Sequence, residues 1–220
     1  MKIKSATKVV VSAFGIFLGL GGIEHGIGEI LQGNIAPSGI VIKSWGESKL
    51  FSILAGEPAM TIIPNLLITG VLAIIVSLSI MVWAVAFVQR KNGGLVLILL
   101  SILLLLVGGG FGPPLIGIIV GAAGTRINAP LPWWQKRLSV NARLLLSKLW
   151  VWFLIAGLVS YFYLFPVSII LWHFFGVYNP NIIIGVSSFA FGTLLMAVFS
   201  GFARDIDHSV KATASSTYEK

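Results

Sequence analysis

Long, nearly uncharged apolar stretches limit this chain more than any other feature of its sequence. Four of them are long enough to cross a lipid bilayer as helices, and they cover residues 9–31, 61–88, 144–175 and 182–202. A spanning helix needs about 20 mostly apolar residues, because the hydrocarbon core is about 30 Å thick and each helical residue rises about 1.5 Å. Only 10% of the residues are charged, against about 25% in a soluble domain. The sequence therefore predicts an all-α integral membrane protein.

A fifth apolar segment, residues 94–124, carries a break in its middle. Residues 108–114 read Gly-Gly-Gly-Phe-Gly-Pro-Pro, and paired prolines after a glycine run interrupt a helix. If the segment crosses once, the chain forms a bundle of five full spans. If it turns at the break, residues 94–110 enter the membrane, residues 115–124 return as a short re-entrant element, and six segments enter in all.

The positions of Lys and Arg favour the second arrangement, because cytoplasmic loops collect basic residues. With the hairpin, only Lys43 and Lys49 of the 15 basic residues face outward, whereas Lys2, Lys4, the basic loops and the tail face inward. We therefore predict a polytopic helical bundle that forms one transmembrane domain over residues 1–203. Both termini are expected in the cytoplasm, with the protein in the plasma membrane.

Two polar segments complete the predicted architecture. Residues 130–145 place Trp134, Leu138 and Leu145 on one helical stripe beside basic residues, which is typical of an amphipathic helix on an anionic leaflet. Residues 204–220 are polar and rich in Ser and Thr, and are predicted to form a disordered cytoplasmic tail. The net charge of +8 thus points to the lipid bilayer as partner, with anionic lipid at its cytoplasmic face, and not to nucleic acid.

The end of the first span holds the most informative residues of the chain. Glu24, His25 and Glu29 lie close together in an apolar helix, where each charge costs about 3 kcal/mol on insertion scales. His25 and Glu29 are four residues apart and are predicted to interact, whereas Glu24 points nearly the opposite way.

In the hairpin topology, Glu57 and His173 fall at the same outer level as the cluster in the first span. Together these residues predict an ion or proton site, in which His25, Glu29 and His173 are candidate ligands of a divalent metal such as zinc. A His–Glu pair could instead carry protons, and two histidines at one depth could hold haem b axially. In a purely structural interpretation, the carboxylates reach interfacial water and His25 bonds a backbone carbonyl.

A stripe of small residues runs along the same span. Gly15, Gly19, Gly22 and Gly26 recur at helical spacing, as in membrane helices whose backbones pack closely. The stripe therefore predicts close packing against another helix. If that helix belongs to a second copy or to another membrane subunit, the protein is an accessory or assembly subunit with no activity of its own.

The motifs that the chain lacks reduce the number of functions that it could have. It contains no cysteine, which excludes thiolate metal sites and cysteine nucleophiles. Phosphate-binding loops, HExxH, GxSxG and dinucleotide fingerprints are also missing, so an enzyme is not expected. The leading hypothesis is a membrane protein that transports, binds or senses an ion, proton or small solute. The accessory subunit and a b-type cytochrome with two histidine ligands are the alternatives.

Overall fold

The computed structural model of the chain describes residues 5–127 and 129–218, with side chains as far as Lys211. Lys2, Lys4 and residues 219–220 of the predicted tail lie outside the described residues. Within the described part, the fold is 74% helical and contains one two-stranded sheet. The predicted all-α class is confirmed.

Eight α-helices follow one another along the described chain. Their bounds are α1 Ala6–Gln32, α2 Leu66–Val82, α3 Gly93–Leu106, α4 Gly112–Gly124, α5 Pro132–Arg137, α6 Val140–Phe162, α7 Ser168–Phe175 and α8 Pro180–Tyr218. A π-helical turn extends α2 to Phe87, and another joins α6 to α7 through Pro166.

Four helical stretches are long and apolar enough to cross a membrane. They are α1, α2 with its π turn, the joined α6 and α7, and α8 as far as Lys211. Large apolar side chains are exposed along them, such as Ile75 on α2 and Phe174 on α7. A protein in water rarely exposes so much apolar surface, whereas lipid accommodates it. The chain is therefore an integral membrane protein.

The segment with the glycine and proline break forms two helices that pack against each other. α3 has 14 residues and α4 has 13, so each is about 20 Å long and shorter than the bilayer core. A Cβ on Gly94, at the start of α3, would overlap the backbone of Gly121 near the end of α4, so the two helices are antiparallel. α4 begins earlier than the predicted residue 115, because Pro113 and Pro114 lie in its first turn, where proline is tolerated.

The chain divides into two compact units. The first, which we call the site unit, contains Val11–Thr125 and Pro166–Tyr178. The second unit contains the described residues up to Val10, Arg126–Phe165 and those from Asn179 onward. All five ionisable residues of the predicted site belong to the site unit.

In the site unit, α1 and α2 pack face to face along the glycine stripe. A Cβ on Gly15 would overlap Ala84, and Gly26 lies against the backbone carbonyl of Gly70, so the two helices are antiparallel and in close backbone contact. All four stripe residues face α2: Gly15, Gly19, Gly22 and Gly26. The glycine stripe is thus covered by α2 of the same chain and is not available to a helix of another subunit. It therefore lends no support to an accessory-subunit role.

The loop between α1 and α2 forms a small antiparallel sheet. Strand β1, Val41–Lys43, pairs with strand β2, Pro58–Met60. The backbone N–H of Gly108, which follows α3, donates to the carbonyl of Met60 at 2.9 Å. The sheet therefore holds the glycine run beside this loop.

In the second unit, α6 and α8 pack side by side in opposite directions. Near the end of α6, the ring of Tyr161 lies 5.9 Å from that of Phe191, measured between centroids. Near its start, the hydroxyl of Ser147 donates to Asp207 at 3.4 Å.

The polar C-terminal residues continue α8 instead of forming a disordered tail. The helix extends to Tyr218, so the disorder expected from Arg204 onward is not observed in the described residues. Asp207 is only 5% exposed and accepts a hydrogen bond from Lys211 at 2.8 Å. Contact with Ser147 of α6 gives Asp207 a buried environment, which the polar composition of the segment does not reveal.

The predicted amphipathic helix over residues 130–145 is interrupted. α5 ends before Leu138, whose backbone is extended with φ −86° and ψ 123°, and Ser139 caps the new helix α6. Trp134, Leu138 and Leu145 therefore do not share one continuous stripe. The ring of Trp134 packs on two phenylalanines of α8, at centroid distances of 5.1 and 5.8 Å.

Asp205 of α8 caps the start of α1. Its carboxylate accepts hydrogen bonds from the Ser5 hydroxyl at 2.6 Å and from the backbone N–H groups of Ala6 and Thr7 at 2.7 and 3.1 Å. The hydroxyl oxygen of Ser5 in turn accepts from the N–H of Lys8 at 3.2 Å. Donors that a helix start leaves without partners are thus satisfied, and the carboxylate lies at the positive end of the helix dipole.

We expect Asp205→Ala to lower the free energy of unfolding by about 1–2 kcal/mol, the effect of losing a helix cap. The midpoint of thermal unfolding in mild detergent measures this loss. Asp205→Asn retains an acceptor and should lose less than the alanine variant. Equal midpoints for the three proteins would contradict the capping role.

Candidate functional site

The last turns of α1 carry three ionisable side chains that the fold buries. Glu24, His25 and Glu29 are 8%, 7% and 0% exposed. Gly28 lies on the same part of the helix, and a Cβ there would overlap the carbonyl of Ser44. Because Gly28 has no side chain, the loop can lie directly against α1.

This loop supplies Ser44, Trp45 and Glu57. The N–H of Ser44 donates to the carbonyl of Glu57 at 3.0 Å, so the sheet register places these residues opposite each other. The ring of Trp45 stacks on Phe51 at a centroid distance of 3.9 Å, and its indole N–H donates to Glu24 Oε1. Glu57 has a φ of 50°, a left-handed conformation that costs about 1–2 kcal/mol and that is found preferentially at functional sites.

Two carboxylates and one imidazole meet at the centre of the site. His25 Nε2 lies 3.4 Å from Glu57 Oε2 and 3.9 Å from Glu24 Oε2. We call these residues the Glu24–His25–Glu57 cluster, whose ligand atoms lie within 4.8 Å of one another. Among the described residues, no other set of three His, Cys, Asp or Glu side chains meets this limit.

Ser44 connects the cluster to Glu29. Its hydroxyl oxygen lies 2.7 Å from His25 Nδ1 and 3.5 Å from Glu29 Oε1, to which it can donate. His25 and Glu29 were predicted to interact directly, but the structure places Ser44 between them. The loop therefore decides which groups the two residues contact.

The glycine run after α3 covers the same end of α1. Gly108 and Gly110 have positive φ angles of 94° and 75°. A Cβ on Gly108 would overlap the carboxylate of Glu29, and one on Gly110 would overlap the imidazole of His25. Both the backbone angles and the close approach therefore require glycine. From the sequence, this run was predicted to break a helix, and its contacts with Glu29 and His25 were not predicted.

The site is acidic, and no described Lys or Arg neutralises it. The Oε2 atoms of Glu24, Glu29 and Glu57 are buried and have no hydrogen-bond donor among the described residues. Within the same part of the chain, none of these carboxylates pairs with Lys or Arg. Burial raises the pKa of the Glu57 carboxyl. Adjacent buried carboxylates repel each other unless a proton or another cation lies between them.

The structure separates one predicted ligand from the others. His173, near the end of α7, is exposed, and its ring contact is with the adjacent Phe174. Of the metal set predicted from the sequence (His25, Glu29 and His173) the cluster contains only His25. Glu24, which was expected to serve a different environment, takes part instead, because the loop folds over the end of α1 and meets both faces of the helix.

The surroundings of His25 give the haem hypothesis no support. An axial ligand presents one ring nitrogen to the iron of a large macrocycle. Nδ1 of His25 faces Ser44, Nε2 faces two carboxylates, and the backbone of Gly110 lies against the ring. Both ring nitrogens thus face nearby side chains, and a macrocycle beside either nitrogen would overlap them.

Fold and site together define a helical integral membrane protein with a buried cluster of carboxylates and histidine near the end of α1. The cluster is built from α1 and the loop that follows it, within the site unit. No protein-family model, curated protein or solved structure matches this chain.

Proposed function

We propose that this protein binds an inorganic cation at the Glu24–His25–Glu57 cluster and transports or senses that ion at the membrane. The observation that carries the proposal is a pair of carboxylates, Glu24 and Glu57, whose buried Oε2 atoms have no hydrogen-bond donor and no Lys or Arg partner among the described residues. Ionisable groups within membrane helices are costly and mark ion pathways. A bound cation supplies the positive charge that the neighbouring side chains do not.

A panel of cations tests this function. A cation that binds the folded protein should raise the midpoint of thermal unfolding, since a ligand at 100 times its Kd stabilises by about 2.7 kcal/mol. The protein is purified in mild detergent, treated with a chelator and mixed separately with Na⁺, K⁺, Mg²⁺, Ca²⁺, Mn²⁺ and Zn²⁺. The double substitution Glu24→Gln with Glu57→Gln should abolish the response to the bound ion.

Glu47→Gln is the matched control, because Glu47 lies in the same loop but is exposed. This variant should respond to cations as the wild-type protein does. If the wild-type protein and the double variant respond alike to every cation, the proposal fails. Flux of the bound ion into proteoliposomes then distinguishes the two roles, since transport requires flux that the double variant lacks, and sensing does not.

A further inference from the structure

We infer that the cation is a divalent transition metal of the zinc class, held by Nε2 of His25 and by one carboxylate oxygen each from Glu24 and Glu57. The inference rests on the cation site proposed above and identifies its occupant. The donor chemistry selects this class of ion. Mg²⁺ and Ca²⁺ prefer oxygen ligands alone, whereas zinc binds imidazole nitrogen together with carboxylate oxygen.

The separation between His25 and Glu57 fits such an ion, and the separation between His25 and Glu24 is slightly longer. Zinc bonds to nitrogen and carboxylate oxygen are about 2.0–2.2 Å long, so the donors of a tetrahedral site lie about 3.3–3.6 Å apart. His25 Nε2 is 3.4 Å from the Glu57 oxygen and 3.9 Å from the Glu24 oxygen. Both separations exceed the roughly 2.7–3.2 Å of an N–H···O hydrogen bond. The imidazole therefore does not satisfy either carboxylate by hydrogen bonding.

The hydrogen bond between His25 and Ser44 is compatible with a metal ligand at Nε2. Ser44 Oγ lies 2.7 Å from Nδ1, so in the tautomer that metal binding requires, Nδ1–H donates to this hydroxyl oxygen. Nε2 then carries the lone pair and faces Glu24 and Glu57. Metal-binding histidines are oriented in this way, with the second ring nitrogen held by a hydrogen-bonded group.

The buried carboxylate of Glu24 gives evidence for a bound ion that does not depend on the type or spacing of the donor atoms. Glu24 is 8% exposed, and its Oε2 is directed toward His25 Nε2 without a hydrogen-bond donor of its own among the described residues. Three electron-rich atoms directed at one another repel unless a positive ion lies between them. Metal binding requires both carboxylates to be ionised, and one divalent ion then neutralises their two negative charges.

Cobalt(II), a spectroscopic substitute for zinc, tests both the ligands and the geometry. The full-length protein in detergent is titrated with Co²⁺, followed by visible absorption, and with Zn²⁺, Mg²⁺ and Ca²⁺, followed by calorimetry. We expect one Co²⁺ per chain with the strong absorption of a four-coordinate ion, and its displacement by Zn²⁺. Mg²⁺ and Ca²⁺ should bind far more weakly.

Substitutions then identify the ligands. His25→Ala should abolish the cobalt absorption and weaken zinc binding by more than the roughly 10–100-fold expected for Ser44→Ala, which removes only the group that orients His25. His208→Ala, a histidine of the second unit, is the control and should bind as the wild-type protein does. If His25→Ala does not fold, Glu57→Gln repeats the test with a side chain of nearly the same shape.

The outcomes separate this inference from the function on which it rests. If Mg²⁺ or Ca²⁺ binds more tightly than zinc, or if zinc binds His25→Ala unchanged, the zinc assignment is overturned and the cation site stands. If His173→Ala loses zinc binding, the ligand set predicted from the sequence replaces the cluster. If no cation binds, both the inference and the proposed function are overturned.

Discussion

Replacing Gly110 by alanine should destabilise the protein by about 2–5 kcal/mol and displace His25 from the cluster. Gly110 has a φ of 75°, and a left-handed backbone costs a residue with a Cβ about 1–2 kcal/mol. The new methyl group would also overlap the imidazole of His25, and over-packing a buried contact costs about 1–3 kcal/mol. The midpoint of thermal unfolding and the affinity for the cation are the two measurements.

Alanine substitutions at two other glycines distinguish the cost of the left-handed backbone from the cost of the overlap with His25. Gly33 has a φ of 89°, and a Cβ there would meet no atom within 4 Å, so Gly33→Ala reports the backbone strain alone. Gly112 has the same open surroundings without a positive φ, so Gly112→Ala should leave both measurements unchanged. An unfolding midpoint for Gly110→Ala no lower than that of Gly33→Ala would contradict the close approach to His25.

Replacing Gly26 by leucine should separate α1 from α2, with a loss of about 3 kcal/mol or more. A Cβ on Gly26 would lie 2.7 Å from the carbonyl oxygen of Gly70 and 2.9 Å from Ile74, so the backbones of the two helices would have to move apart. Because Gly26 is adjacent to His25, this movement should also weaken cation binding. The yield of monodisperse protein and its unfolding midpoint measure the effect.

Gly185→Leu is the control for this substitution. Gly185 lies within α8, and a Cβ there meets no atom within 4 Å. A leucine at Gly185 adds apolar surface to a membrane helix without a clash, so stability should be maintained. If the two leucine variants unfold at the same midpoint, the contact between Gly26 and Gly70 does not hold the helices together.

The sequence predicts the helices of this fold better than their contacts. The thickness of a bilayer fixes the length of a spanning helix, so apolar runs alone locate the four long helices. The break at residues 108–114 also predicts the division between α3 and α4. Glu24, His25 and Glu29 stand out because ionisable residues are rare in membrane helices.

The loop explains why the rest of the site could not be predicted. Ser44 lies opposite Glu57 because of the pairing between β1 and β2, and nothing in the local pattern of the loop specifies that register. A helical projection of α1 places Glu24 and His25 on different faces of the helix, where they would meet different neighbouring helices. The projection cannot show a loop that folds over the end of the helix and contacts both.

The contact between Asp205 and the start of α1 also sets an order of events during synthesis. A distance of 200 residues along the chain separates Ser5 from Asp205, and a ribosome releases the N-terminal part first. The first helix is therefore synthesised long before its carboxylate partner. Its final anchoring is a late step of biogenesis, and nascent chains stalled short of residue 205 lack it.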